Sequence, residues 1–172
     1  MRIRRDRGCC SLADGVTYVF DAENLVLGRL ASVVAETLLN AARADRDDRV
    51  IITNAEKAIV SGSRESVTRH YLHRYRLNHA RKGPFFPRMP DKILKRAVRG
   101  MLPYQSKSSG RRALRNLRVE IGTPEHLVGD LPDGHQAGDL SELNRPLPHR
   151  FMTLGDISRT LGAPAHRWGG EA

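Results

Sequence analysis

The chain has 172 residues, 40% of them apolar, with 29 Lys and Arg against 19 Asp and Glu and a formal net charge of +10. That length suits one compact domain of about 100 to 200 residues. No run of roughly 18 apolar residues occurs, which excludes a membrane-spanning helix, and the apolar fraction is too high for wholesale disorder. Cys9 and Cys10 are the only cysteines and are adjacent, leaving no disulfide framework and no CxxC zinc site; a reducing, cytosolic compartment fits.

In chain order, residues 1–15 are charged like the start of a signal peptide but lack the apolar run that secretion requires, and read as a disordered extension. TYVFDA at 17–22 is β-branched and aromatic, a first strand. Leu27, Leu30, Val34 and Leu38 then recur at helical spacing, predicting an amphipathic helix over 28–42 with Asn24 placed to cap it. VIIT at 50–53 reads as a strand covered on both faces, and a short strand over 58–61 follows. Strand, helix, strand over this length implies a right-handed crossover and a parallel pair. Ser63 opens a helix to about residue 77, and a loop, KGPFFPRMP, leads to a helix over 90–102 with Pro90 in its first turn and Pro103 as its stop. A helix over 110–117 and a last strand over 118–121 come next. Residues 122–150 are turn-rich and predict extended surface structure; a short helix over 154–161, capped by Thr153, closes the chain. The organisation is thus an extension (1–15), an α/β core (16–121) and a C-terminal extension (122–172).

The charge is concentrated. Residues 57–118 hold 17 basic groups and only two acids, Glu65 and Asp91, whereas the segments on either side are net acidic. Folding gives no reason to gather like charge, since self-repulsion opposes compaction, but a polyanion would neutralise it and release counterions. On a helical wheel Lys92, Lys95, Arg96 and Arg99 share one side of PDKILKRAVRGML, opposite Ile93, Leu94, Ala97, Val98 and Met101, whose apolar side is expected to pack on the sheet. Arg111, Arg112, Arg115 and Arg118 line up likewise opposite Ala113, Leu114 and Leu117, and Lys107 lies in the loop between the two ridges. On the earlier helix Val67, Tyr71 and Tyr75 form an apolar stripe with Arg69, His70, His73 and Arg76 roughly opposite. His70 and His73 have metal-compatible spacing, but the surrounding arginines would repel a divalent cation. Phe85 and Phe86 read first as residues buried under their loop, with stacking on unpaired bases as the alternative. Gly28 alone does not make a dinucleotide fingerprint, SGS at 61–63 lacks the lysine of a phosphate loop, and no GxSxG elbow exists.

FDAENLVLGRLAS, ITNAEKAIVSG, PDKILKRAVRGMLP, GRRALRNLRVEIG and TLGDISRTLG, in that order, resemble the universal large-subunit ribosomal protein L-thirteen family in its archaeal and eukaryotic form, over about residues 16–168. The resemblance implies a three-layer α/β/α domain around a four-stranded parallel sheet. It further implies no enzymatic activity or cofactor, and a structural role in the cytoplasm on large-subunit ribosomal RNA beside other ribosomal proteins, with no membrane or small-molecule substrate. By position it makes Lys92, Lys95, Arg96, Arg99, Arg111, Arg112, Arg115 and Arg118 RNA contacts. It gives Gly28 a close approach at a helix start, Arg29 either an RNA contact or an internal ion pair, and Gly100 and Pro103 a role in shape. The competing functions are an RNA-modifying α/β enzyme, which needs a cofactor pocket at the C-terminal edge of the sheet, and a regulator that binds messenger RNA away from the ribosome.

Overall fold

TYVFD forms strand β1 (Thr17–Asp21), and RVIIT forms β2 (Arg49–Thr53). Between them runs helix α1 (Leu27–Arg43), whose Leu30, Val34 and Leu38 are all buried. The computed structural model describes residues 15–168 apart from 78, 80, 130, 141, 142, 144 and 145; the N-terminal extension, with Cys9 and Cys10, lies outside the described residues except for Gly15. Asn24 does not cap α1. The cap residue is Val26, with no side-chain bond, because a turn closed by the Leu25 N–H on the Ala22 carbonyl intervenes and holds Asn24 exposed at φ 58°.

Strand β3 (Ile59–Ser61) is followed by α2 (Arg64–Arg76), capped by Ser63, whose hydroxyl accepts from the Ser66 N–H at 3.4 Å. Helix α3 (Pro90–Met101) starts on Pro90, whose missing N–H costs nothing in a first turn. Asp91 beside it suits the positive end of the helix. Helix α4 (Ser108–Arg115) and strand β4 (Leu117–Val119) each begin earlier than the sequence pattern suggests. Strands β5 (His135–Ala137) and β6 (Phe151–Thr153) follow, then α5 (Leu154–Thr160), where the Thr153 hydroxyl accepts from the Asp156 N–H at 3.2 Å.

Four strands in the order β4-β2-β1-β5 make one all-parallel sheet. The strands differ from the sequence pattern in two places. The short strand β3 does not join this sheet but pairs antiparallel with β6, so β4 is not the last strand. The fourth strand is β5, from the segment expected to be extended surface structure. HQA has neither an apolar run nor alternation; its backbone completes the free edge of β1, Thr17 opposite His135 and Val19 opposite Ala137. Gly138 permits this, since a Cβ there would stand 2.2 Å from the Phe20 ring.

Register puts Phe20, Ile52 and Val119 on one face of the sheet, beside Tyr18, Val50 and Leu117. These join Leu30 and Val34 of α1 and Leu94 and Val98 of α3 in a single hydrophobic cluster. Each large side chain sealed there contributes about 1.5–3 kcal/mol. Right-handed connection carries α1 and the β2-to-β4 crossover over this face and sends the β4-to-β5 crossover, with its helical turn Glu125–Leu127 and buried Leu127, over the other. Helical elements therefore lie on both sides of the sheet, a three-layer α/β/α arrangement.

Candidate nucleic-acid interface

Helix α3 buries Ile93, Leu94 and Val98. It packs against α1 and against β4 of the sheet, with Leu94 and Val98 in the cluster that covers the sheet face. The other side brings Lys92, Lys95, Arg96 and Arg99 around one cavity of about 310 Å³, and among the described residues no carboxylate lines it. Met101, which the wheel assigned to the apolar side, is 43% exposed at the last turn, its sulfur 3.5 Å from Ser32 Oγ on α1.

Three of these four cations are tethered. Lys95 Nζ donates to the Leu117 carbonyl at 2.9 Å, locking α3 to β4. Arg96 Nη1 donates to the Phe85 carbonyl at 3.3 Å, and its guanidinium lies 5.0 Å from the centre of the Phe86 ring. Arg99 stacks on Tyr104 at 5.2 Å. Guanidinium hydrogens left over from such contacts remain free to donate outward.

Helix α4 carries Arg111, Arg112 and Arg115 exposed and Ala113 buried. Its buried Gly110 lets it approach the end of α3, since a Cβ there would stand 2.5 Å from the Pro103 carbonyl carbon. Arg112 pairs with Asp45, which raises its already high pKa further, first by the hydrogen bond and then by charge. Arg111 Nη1 donates to the Gln105 carbonyl at 3.4 Å. Lys107 is exposed immediately before the helix. Arg118 does not stand on this ridge. The helix ends at Arg115, and Arg118 lies on β4, on the sheet face away from Leu117 and Val119, paired with Glu120.

On α2, Val67 and Tyr71 are buried and Arg69, His70, His73 and Arg76 are exposed. Arg69, His73 and Arg76 line a second open cavity of about 560 Å³ with Arg64. Burial raises the Tyr71 phenol above its usual value, opposed by the nearby charge of Arg74.

Of the GRLAS positions, Gly28 differs from expectation, while Arg29 keeps one of its two readings. Gly28 is exposed with no atom within 4 Å of where a Cβ would stand, so no close approach within the chain requires it, and the same holds for Gly100. Arg29 is exposed and makes no ion pair among the described residues. Neither do Lys92, Arg69, Arg76, Lys107 or Arg115.

At the C-terminal edge of the sheet, where doubly wound folds bind cofactors, the chain's own polar groups interlock. Asn54 Nδ2 donates to Asp21 Oδ1 at 2.9 Å, the Thr123 hydroxyl donates to Asn54 Oδ1 at 3.3 Å, and Glu56 Oε2 accepts from the Gly122 N–H at 2.9 Å.

The four α3 cations share one side of the helix as their spacing predicts, whereas the burial expected of both loop aromatics holds for only one. Phe86 is half-buried, edge-on to Tyr71 at 5.7 Å, as expected; Phe85 is 62% exposed at the rim of the α3 cavity. Arg69, His73 and Arg76 share a helix face by their i, i+4 and i+7 spacing, whereas Arg64, the first residue of α2, lies about 120–180° away in helical phase, so spacing alone gives no signal for its place at that cavity.

The model of the family described as "Ribosomal protein L13" matches residues 16–126. The chain is 40% identical over 162 residues to "Large ribosomal subunit protein uL13" of Archaeoglobus fulgidus, covering 94% of this chain and 97% of that one. It is 41% identical to the protein of that name from Methanopyrus kandleri, covering 84% and 86%. To the one from Halobacterium salinarum it is 43% identical, covering 84% and 90%.

Proposed function

The chain belongs to the ribosomal protein L13 family, and from that premise we propose that α3 and α4 are its grip on large-subunit ribosomal RNA. It is a structural constituent of the large ribosomal subunit in the cytoplasm, not an enzyme, and its partners are ribosomal RNA and ribosomal proteins. The observation that carries the finer assignment is the α3 cavity: four cations from one anchored helix converge on a space that no carboxylate lines among the described residues, a geometry that suits phosphate and nothing cationic. Arg111, Arg112, Arg115 and Lys107 extend the positive surface from α4. Arg69 and Arg76 form a second contact on α2, and Arg118 a third, separate one on β4. Fixed cations of this kind neutralise converging RNA segments and lower the cost of packing them, with shape rather than a base code selecting the place. Residues 16–121 then form the RNA-binding core, and the acidic segment 122–172 faces a protein neighbour.

Charge reversal at both Arg96 and Arg99 tests this. The double variant should fold, because neither residue belongs to the hydrophobic cluster, yet its recovery in the large-subunit peak of a sucrose gradient should fall at least tenfold. Wild-type occupancy there should be lost after ribonuclease. Normal incorporation of the variant would sink the assignment.

A further inference from the structure

The cavity on α3 is not purely ionic. Besides its four cations it is walled by Phe85, Pro87 and Leu114, a mixture that a phosphate backbone alone does not require. A double helix presents phosphates and sugars, and a flat cationic surface is enough to meet them. An unpaired nucleotide also presents a π-face that gains from an aromatic or apolar wall. At about 310 Å³ the space lies at the lower end of the ~300–1,000 Å³ typical of small-ligand sites, the scale of one nucleotide rather than a duplex.

Phe85 is built into this position. Its neighbour Phe86 packs inward against Tyr71 and beneath Arg96, anchoring the loop, while the Phe85 ring stays outside with 62% of its surface in solvent. Gly83 sets the turn. It has φ +76°, and a Cβ there would lie 3.0 Å from the Phe85 backbone nitrogen and 3.1 Å from its ring, so a side chain at 83 would push the ring away. Arg96 then holds the Phe85 carbonyl at 3.3 Å. The residue that presents the aromatic surface is thus fastened to one of the cations beside it, with most of its ring left in solvent at the cavity rim.

We propose that this cavity holds a single unstacked nucleotide of RNA, its base against Phe85 and its flanking phosphates on Lys92, Arg96 and Arg99. The proposal rests on the reading of α3 as an RNA contact and adds that the RNA is unpaired there. It is tested with the full chain and two short RNA hairpins of identical stem, one with a single bulged 2-aminopurine and one fully paired. Wild-type protein should bind the bulged hairpin about 5- to 100-fold more tightly and quench the aminopurine, as expected of one base stacked on an aromatic ring. Phe85→Leu should abolish both the preference and the quenching, whereas Phe85→Trp should retain them. Failure of the wild type to prefer the bulged hairpin, or persistence of the preference in Phe85→Leu, overturns the nucleotide site. Arg96→Glu with Arg99→Glu separates the two levels. If it weakens both hairpins while Phe85→Leu changes neither, the cavity reads phosphate alone; if it weakens neither, the reading of α3 itself fails.

Discussion

Helices α2 and α3 have similar sequences in outline, each with an apolar stripe opposite a row of basic residues, but they hold their cations in different ways. On α3, Lys95, Arg96 and Arg99 are each tethered to a carbonyl or a ring. On α2, Arg69 and Arg76 project into solvent with no partner among the described residues. A tethered cation has already given up much of its rotamer freedom during folding, so binding costs it less than the about 0.5–1.5 kcal/mol that a free, rotamer-rich side chain loses. Density of charge therefore does not rank the two surfaces. Preorganisation does, and it favours α3.

The largest expected effect comes from removing the anchor itself. Leu94 is fully buried where α3 meets the core, so Leu94→Ala should cost about 2–5 kcal/mol of stability in urea unfolding. RNA affinity should fall with it, because the ridge is rigid only while the helix is seated. Val67→Ala on α2 removes fewer atoms from a less tightly sealed site and should cost less.

Neutralising the cations compares the two surfaces directly. Arg96→Gln with Arg99→Gln should weaken ribosomal RNA binding about a hundredfold, since each charge-assisted hydrogen bond to phosphate supplies roughly 1.5 kcal/mol or more. Arg69→Gln with Arg76→Gln should weaken it about tenfold or less, because the side-chain entropy regained offsets much of what those charges supply. Both pairs should flatten the salt dependence by a similar amount, roughly 0.7–0.9 for each phosphate no longer neutralised. Equal decreases in affinity would show that tethering contributes nothing.

The smallest effect concerns the core of α2. Burial raises the Tyr71 pKa in the folded chain, so its contribution to stability is complete below the unfolded value of about 10 and is lost as pH rises from there through the folded value. Thermal unfolding at about pH 8 and pH 11 should show a larger drop for wild type than for Tyr71→Phe. An identical drop in both would mean that the phenol ionises as easily folded as unfolded.

Much of this was legible in the residues. The spacing of Leu30, Val34 and Leu38, the Pro90 start and Pro103 stop of α3, and the Ser63 and Thr153 caps are local signals, and local physics is enough to honour them. The four cations of α3 were legible for the same reason, since a helix of known phase fixes which side chains share a face. Asn24 misled because a cap competes with a turn, and the turn depends on where β1 ends. Arg118 misled because the phase of α4 was carried past its end. Phe85 misled because composition alone assigns a phenylalanine to the interior, while its exposure is decided by the turn at Gly83 and the inward packing of Phe86.

The sequence by itself determined the helices, the two central strands and the block of positive charge between residues 57 and 118, because periodicity, capping and charge density act over a few residues. Only the tertiary structure decided that HQA is a strand, that β3 leaves the main sheet for β6, and that Phe85 stands beside Arg96 at the mouth of a cavity. Those outcomes depend on backbone groups finding partners far away in the chain, and no local pattern of side chains records which partner is found.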